Sequence, residues 1–137
     1  MEQALGAITS QQQNIYWRES RETGVRVVDS KAQAGLLKLR VREFRVVEDL
    51  EPDAVMAALW RQPEVAAFLR RHNTDFVRRS YGTRKALSPP MILEVKNRTV
   101  AEILDRIAAA YRKDAPKVWI YQECHSGKEM LVDVRMP

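Results

Sequence analysis

Hydrophobic and polar positions follow two different periods along this chain, which indicates a mixture of helices and strands. The clearest helical period lies over residues 99–111, where apolar positions recur at intervals of three and four: Val100, Ile103, Leu104, Ile107, Ala108 and Tyr111. Thr99 precedes this stripe and Glu102 follows three residues later, which is the spacing of a capping box. The pattern predicts a helix that begins at Thr99 and buries one continuous face.

Extended segments flank this helix on both sides. Residues 91–95 read Met-Ile-Leu-Glu-Val, and residues 118–136 contain two apolar runs around His125-Ser126-Gly127-Lys128. We expect the first segment to form a strand and the second to fold back as a β-hairpin. The last third of the chain is therefore predicted to be a strand–helix–hairpin unit, in which the helix lies across a sheet formed by its flanking strands.

A second strand–helix unit is predicted upstream. Leu37, Leu39 and Val41 alternate with basic residues, as in a half-buried strand. The apolar phase then shifts to Phe44 and Val46, either through a bulge or because two strands meet at a bend. Proline at position 52 suits a first helical turn, and proline at position 63 separates that helix from a second one. The apolar sides of these two helices are formed by Val55, Met56, Leu59 and Trp60, and by Val65, Phe68 and Leu69.

The remaining segments are shorter. Residues 2–13 predict a helix, residues 14–18 and 25–28 predict strands, and residues 32–35 and 73–90 are expected to be irregular. The fold class is α+β, with two βα units and a C-terminal β-hairpin forming a mixed or antiparallel sheet packed by helices. Residues 1–137 form a single domain; the alternative is two small lobes, 1–62 and 87–137, joined by the basic segment 63–86.

Composition and charge add one localised feature. The 137 residues are 45% hydrophobic and 30% charged, as in a folded domain, and no apolar run approaches the length of a membrane span. The net charge is +5, and residues 61–85 hold seven cations against two anions, so this segment carries the whole excess. It favours an anionic partner such as nucleic acid, lipid headgroups or an acidic protein face; the alternative is a solvated helical face. The candidate binding residues are Arg70, Arg71, Arg78, Arg79, Tyr81, Arg84 and Lys85.

No recognisable catalytic or metal-binding motif occurs. Cys124 and His125 are adjacent, but neighbours on a strand point to opposite faces, so a nucleophile–base pair would need a turn at His125. A buried structural cysteine on the face of Val118 and Ile120 is the favoured interpretation. With His72 these residues supply only three zinc ligands, without the usual paired cysteines. The expectation is a non-enzymatic protein with no metal and no cofactor.

Two other short patterns leave alternatives. The run from His72 to Asp75 could orient a phosphate or a water, but it is also an ordinary helix stop followed by a cap, which we favour. Trp119 and Tyr121 share one face of their strand. They would form either a stacking platform for bases or, as is more common, a pair packed under a neighbouring helix.

Three segments resemble the short N-terminal domains of secretins and TonB-dependent receptors. They are residues 2–8 followed by 14–17, residues 41–59, and residues 92–104, whose strand, Asn-centred turn, Thr-Val and acidic helix start give the closest likeness. The chain departs from that family at 61–88, where a basic helical insertion separates the units. The resemblance implies a periplasmic, non-catalytic domain that binds another protein along a strand edge.

Two functional interpretations follow. The first is a protein-interaction module of the bacterial periplasm or cell envelope, which uses the hairpin 118–136 or the strand 37–47 as an edge. The alternative is a nucleic-acid-binding protein, with a cytoplasmic location, that uses the basic segment 61–85. Phe76 or Tyr81 would stack on a base, and the phosphates would be contacted by Arg70, Arg71, Arg78, Arg79, Arg84 and Lys85. The oligomeric state does not follow from the sequence.

Overall fold

The computed structural model describes residues 15–20, 24–29, 35–48, 52–76, 91–110 and 118–135. Its fold is α+β, as the sequence predicts. In chain order the elements are β1 (Ile15–Ser20), β2 (Gly24–Asp29), α1 (Gly35–Lys38), β3 (Arg40–Glu48), α2 (Pro52–Trp60), α3 (Pro63–Arg71), β4 (Thr74–Phe76), β5 (Met91–Thr99), α4 (Val100–Ala110), β6 (Val118–Ser126) and β7 (Glu129–Arg135). The predicted helix 2–13 lies outside the described residues.

The strands form two sheets. A mixed five-stranded sheet has the order β1-β2-β6-β7-β4, with antiparallel β1–β2 and β6–β7 pairs and parallel β2–β6 and β4–β7 pairs. β3 and β5 pair with each other in a separate antiparallel ribbon. The expectation of one sheet formed by the strands that flank α4 is therefore wrong. Periodicity identifies strands, but it does not specify which distant strand each one pairs with.

The helix α4 is built as its sequence predicts. The Thr99 amide donates a hydrogen bond of 2.8 Å to Oε2 of Glu102, and the Glu102 amide donates one of 3.2 Å to Oγ1 of Thr99. These reciprocal bonds confirm the capping box. The buried stripe consists of Val100, Ile103, Leu104, Ile107 and Ala108. Through it α4 contacts β2, β6, α1 and α2, so this helix forms the centre of the core.

The two preceding helices also match their predictions. Pro63 is the first residue of α3, where its missing amide hydrogen is tolerated. On α2, the buried residues are Val55, Met56 and Leu59. On α3, Val65 is fully buried, while Phe68 and Leu69 are partly buried against the core.

The start of the predicted strand, at Leu37 and Lys38, is instead part of a helical turn. Leu36 and Leu37 are both buried, with exposed fractions of 1% and 6%. Adjacent residues of a strand point to opposite faces, whereas a helical turn directs both toward the same core. Gly35, expected in a loop, begins this turn, and the strand itself begins only at Arg40.

The phase shift in β3 has neither of the predicted causes. The β3–β5 register continues from Val41, opposite Arg98, to Glu43, opposite Lys96, without an inserted residue, so the bulge is wrong, and β3 is a single strand. The distortion lies on the neighbouring strand. Asn97 has a φ of 51°, in the left-handed region, and its carbonyl accepts a hydrogen bond of 2.9 Å from Arg40.

The segment expected to be irregular begins with a short strand. Residues 74–76 form β4, which pairs in parallel with Met130 to Val132 of β7. Three residues are too few to produce a recognisable alternation, so the sequence did not predict this strand. Residues 77–90 lie outside the described part of the chain.

Candidate functional site

A groove of about 630 Å³ lies beside β4. Its volume falls within the range of about 300–1,000 Å³ that is usual for ligand clefts. Four elements supply the wall: the end of α2, the outer turns of α3, the strand β4 and the start of β7. The lining residues are Trp60, Ala66, Leu69, Arg70, Asn73, Thr74, Asp75, Glu129, Met130 and Leu131.

The turn between α3 and β4 positions one side of this groove. α3 ends at Arg71 with His72 as its C-terminal cap, and Asn73 then adopts a left-handed conformation with a φ of 46°. The hydroxyl of Thr74 donates a hydrogen bond of 3.1 Å to the His72 carbonyl. The prediction of a helix stop at His72 is confirmed, but a strand follows it where a helix cap was expected, because β4 pairs with β7.

The same turn is fastened to the β6–β7 hairpin. Nδ2 of Asn73 donates a hydrogen bond of 3.2 Å to the Lys128 carbonyl, and the Met130 amide donates one of 3.2 Å to the Asn73 carbonyl. These two hydrogen bonds, one donated and one accepted by Asn73, thus fix β4 against the start of β7. They set the relative position of the two strands that line the groove.

Apolar side chains form part of the wall. The Trp60 ring stacks on Phe76, with centroids 4.3 Å apart and an interplanar angle of 18°. Leu131 is 40% exposed, and Met130 is partly buried against the core. Phe76, a candidate for stacking on a nucleobase, is half-buried against another protein ring. The apolar surface left open to a ligand is that of Trp60, Leu69 and Leu131.

Charged groups of both signs line the same groove. Arg70 contributes a guanidinium, while Asp75 and Glu129 contribute carboxylates. Oδ1 of Asp75 also accepts a hydrogen bond of 2.8 Å from the Phe76 amide. A phosphate backbone would meet two carboxylates here, whereas a polypeptide offers cationic, anionic and amide groups that match this wall.

Only part of the predicted basic site falls in the described chain. Arg70 lines the groove, and Arg71 is exposed in the last turn of α3 but is not part of the wall. Cations at this position also interact favourably with the C-terminal end of the helix dipole. Neither arginine forms an ion pair with another described residue. The other candidates, Arg78, Arg79, Tyr81, Arg84 and Lys85, lie outside the described residues.

Cys124 is exposed, so the prediction of a buried structural cysteine is wrong. Trp119 and Tyr121, rather than Val118 and Ile120, occupy the buried face of β6. Alternation along the strand then directs Cys124 to the other face. His125, the next residue along β6, points to the opposite face of the strand from Cys124. Its Nε2 lies 3.6 Å from Oε2 of Glu123. The described residues contain no group of three or more His, Cys, Asp or Glu side chains suited to a metal ion.

Trp119 and Tyr121 pack under α4, which confirms the commoner of the two interpretations. Both rings are fully buried, so they cannot form a platform for bases. The indole nitrogen of Trp119 donates a hydrogen bond of 2.8 Å to Oδ1 of Asp105. The Tyr121 hydroxyl donates one of 2.7 Å to Glu123. Burial, followed by the hydrogen bond to Glu123, raises the pKa of Tyr121 well above its ordinary value.

Of the two predicted sheet edges, the hairpin 118–136 is not an edge of the described sheet, whereas the strand predicted at 37–47 is one. In the hairpin, β6 lies between β2 and β7, and β4 covers β7 at Met130 to Val132, so the hairpin is interior. β3 is an edge of its ribbon within the described chain. Its Arg42 amide, however, donates a hydrogen bond of 3.3 Å to Glu64 of α3. The Glu64 backbone and then Arg42 lower the pKa of that carboxyl. The Arg42 amide of β3 is thus already hydrogen-bonded to a side chain, rather than left open for an added strand.

Sequence reasoning missed most of the groove. Trp60 comes from α2, whereas Glu129 and Leu131 come from β7, and none of them stands out by residue type or spacing. The one available signal is the helix stop that comes just before Thr74 and Phe76. Even this signal does not indicate which strand lies next to these residues.

No described helix has both the length and the apolar character needed to cross a bilayer. No family model matches the chain, and comparisons with curated proteins and with solved structures give no significant match.

Proposed function

We propose that this protein is a non-catalytic protein-interaction module that holds an extended segment of a partner protein in the groove beside β4. The observation that carries the proposal is the mixed lining of that groove: apolar side chains next to side-chain donors, acceptors and charges of both signs. Clefts that bind by shape and polar complementarity combine these groups.

The groove suits a polypeptide in particular. Trp60, Leu69 and Leu131 offer apolar surface to side chains, and the polar residues Asn73 and Thr74 lie beside them in the wall. β4 is the terminal strand of its sheet within the described chain, and the proposal places the extended segment along that side. Short recognition segments bind in this extended form to sheet edges and adjoining pockets.

The charges of the wall predict a preference among peptides. Asp75 and Glu129 favour a basic residue in the ligand, and Arg70 favours an acidic residue or a carboxyl group. An apolar residue would contact Leu131, whose side chain is 40% exposed. The expected ligand therefore contains one apolar anchor together with charges of both signs.

Selection from a phage library of random dodecamers tests the proposal. The wild-type protein should enrich peptides with a shared apolar position, and synthetic versions should bind with micromolar affinity. Leu131→Glu should weaken binding at least tenfold, because it places a charge on the apolar wall. Ile92→Glu is the matched control, since Ile92 is also a strand residue and is 72% exposed, but it lies outside the groove.

Amide chemical-shift mapping with an enriched peptide locates the site. Perturbations at Asn73, Thr74 and Leu131 would support the proposal. Enrichment of no peptide, or equal binding by the wild type and Leu131→Glu, would overturn it.

Nucleic acid binding is the competing outcome. Arg61, Arg70 and Arg71 are exposed in the described part of the basic segment. Single- and double-stranded oligonucleotides should be titrated at low salt against the wild type and the double variant Arg70→Glu/Arg71→Glu. Tight binding that falls steeply with salt and is lost in the double variant would replace the protein-interaction proposal.

The proposed location is the bacterial periplasm or cell envelope. This part of the proposal is supported by the resemblance of residues 92–104 to the short N-terminal domains of secretins and TonB-dependent receptors. Fractionation of source cells followed by antibody detection tests it. Recovery with a periplasmic marker would support the assignment, and recovery with a cytosolic marker would contradict it.

A further inference from the structure

The β3–β5 ribbon has one buried and one exposed face. On the buried face Phe44 lies opposite Val95, and Val46 lies opposite Leu93. Because side chains alternate along each strand, the intervening residues share the outer face. They form three cross-strand rows: Glu43 with Lys96, Arg45 with Glu94, and Val47 with Ile92.

The third row is apolar and exposed. Val47 has an exposed fraction of 48% and Ile92 one of 72%, although they lie directly opposite each other. The charged rows are exposed as well. The side chains of Glu94 and Lys96 are 50% and 70% exposed, and Nζ of Lys96 lies 3.9 Å from Oε1 of Glu94. A strand pair that exposes two apolar residues next to four exposed charged side chains is a candidate contact surface.

The charges of this face have a specific arrangement. Along β3 the first row is negative and the second positive, whereas along β5 the first row is positive and the second negative. Rotation by half a turn about an axis parallel to the strands, between the two ribbons, places each β3 over the other copy's β5. Each residue on the outer face of one copy then faces, on the second copy, the residue that lies opposite it across its own ribbon. Glu43, for example, is paired with Lys96 within the ribbon and also faces Lys96 of the second copy. The face is complementary to itself.

From this we infer that the outer face of the β3–β5 ribbon docks a second copy of the same chain, with the two-fold axis parallel to the strands. Glu43 then faces Lys96 of the second copy, and Arg45 faces its Glu94. Val47 covers Ile92 of the second copy, which removes both apolar residues from water.

The alternative two-fold arrangement is unfavourable. An axis perpendicular to the strands would place Arg45 over Arg45 and Glu94 over Glu94. It would also set the charged row of Glu43 over the apolar row of Val47. Like charges and desolvated unpaired charges both oppose that contact. The charge pattern therefore selects one orientation.

The association should be weak. Three rows of a two-stranded ribbon bury less than the roughly 1,200 Å² typical of stable interfaces. Exposed ion pairs also contribute little, because water and salt screen them and ordering two long side chains costs entropy. We expect dimers at concentrations of hundreds of micromolar, with an affinity that falls as salt rises, because salt screens exposed charges.

A charge-swap mixing experiment tests this geometry. Arg45→Glu alone sets glutamate over Glu94 of the second copy, and Glu94→Arg alone sets arginine over Arg45, so each variant should be monomeric. In an equimolar mixture the substituted positions face opposite charges again, and the mixed dimer should return. Both variants disrupt the same pair within one chain, so their effects on the fold are matched.

Sedimentation equilibrium up to millimolar protein measures the outcome, with Arg106→Glu as a control for net charge, because Arg106 is exposed on α4, outside the ribbon. Concentration-dependent dimers of the wild type and Arg106→Glu, lost in each single swap and restored in the mixture, would support the inference. A monomeric wild type, a dimer that survives the single swaps, or a mixture that stays monomeric would overturn it. Peptide binding in the groove is measured separately, so the two proposals fail independently.

Discussion

The indole nitrogen of Trp119 donates a hydrogen bond of 2.8 Å to a carboxylate oxygen of Asp105, and both residues are buried. Trp119 lies on β6, within the five-stranded sheet, and Asp105 lies on α4. This hydrogen bond fixes the rotation of α4 over the sheet, which apolar packing alone specifies less tightly. A polar pair inside a core has this effect only when its hydrogen bonds are made.

Replacement of Asp105 should therefore destabilise the fold in a graded way. Asp105→Asn keeps an acceptor for the indole and should cost less than Asp105→Ala, which removes this acceptor at a cost of about 1–3 kcal/mol. Urea unfolding followed by tryptophan fluorescence measures both variants. Equal stability of the alanine variant and the wild type would show that the hydrogen bond contributes nothing.

The same bond explains why the sequence did not identify the buried face of β6. Val118 and Ile120 on one face and Trp119 and Tyr121 on the other are all compatible with a core. Which face is buried depends on the distant element that packs on it, here α4, whose Asp105 accepts the hydrogen bond from Trp119. The wrong prediction for Cys124 followed directly from this ambiguity, because its side chain has to follow the alternation of the strand.

The buried phenol of Tyr121 should make the protein sensitive to alkali. Burial raises its pKa in the folded state above the ordinary value of 10.0, and the hydrogen bond to Glu123 adds to this effect. The folded state thus favours the protonated phenol. This contribution is complete below pH 10 and is lost as the pH rises above it, because the unfolded state ionises first.

Urea midpoints between neutral pH and pH 11 measure this effect. The wild type should lose stability more steeply above pH 10 than Tyr121→Phe, whose ring has no proton to release. A spectrophotometric titration should also show that one of the four tyrosines ionises only on unfolding. Identical alkaline profiles for the two proteins would contradict the prediction.

The capping box at α4 predicts a sensitivity to acid. The hydrogen bond from the Thr99 backbone, followed by the Thr99 side chain and the charge of Arg98, lowers the pKa of Glu102 below its ordinary value of 4.5. Because the pKa of Glu102 is lower in the folded state, its charged carboxyl stabilises the fold at pH values above the ordinary pKa of 4.5. This stabilisation is lost as the pH falls through the folded pKa.

The measurement compares Glu102→Gln with the wild type at several pH values. The variant should be less stable at pH 7, and the difference should shrink in acid, where the carboxyl of the wild type is also protonated. Thr99→Ala should cost about 1 kcal/mol. A stability difference that stays constant down to pH 3 would indicate that the charge of Glu102 has no part in the cap.

Local chemistry explains which elements were predictable. The capping box, the proline-led helices and the hairpin around Gly127 depend on residues close in the sequence, and the structure contains all of them. α1 and β4 depend on distant partners. Leu37 is helical because both Leu37 and its neighbour Leu36 are buried in the core. β4 exists because β7 lies beside it, so the groove, which both strands line, was not predictable.

The left-handed residue Asn73 supports the last prediction. Its φ of 46° strains most side chains, and its amide group donates the hydrogen bond to Lys128 that fastens β4 to the hairpin. Asn73→Gly relieves the strain of the left-handed backbone but loses this hydrogen bond. Asn73→Ala loses the hydrogen bond and keeps the strain. Alanine should therefore destabilise the fold by about 1–2 kcal/mol more than glycine does.

Thermal unfolding of the two variants measures this difference, and peptide binding supplies a second measurement. If the Asn73–Lys128 bond sets the groove, both variants should bind an enriched peptide more weakly than the wild type, while only alanine loses much stability. Asn97→Gly is the matched control, because Asn97 is also left-handed, with a φ of 51°, but lies on the β3–β5 ribbon away from the groove. Equal stability of the alanine and glycine variants at position 73 would show that the backbone there is unstrained. Unchanged peptide binding by both would show that the groove keeps its shape without this hydrogen bond.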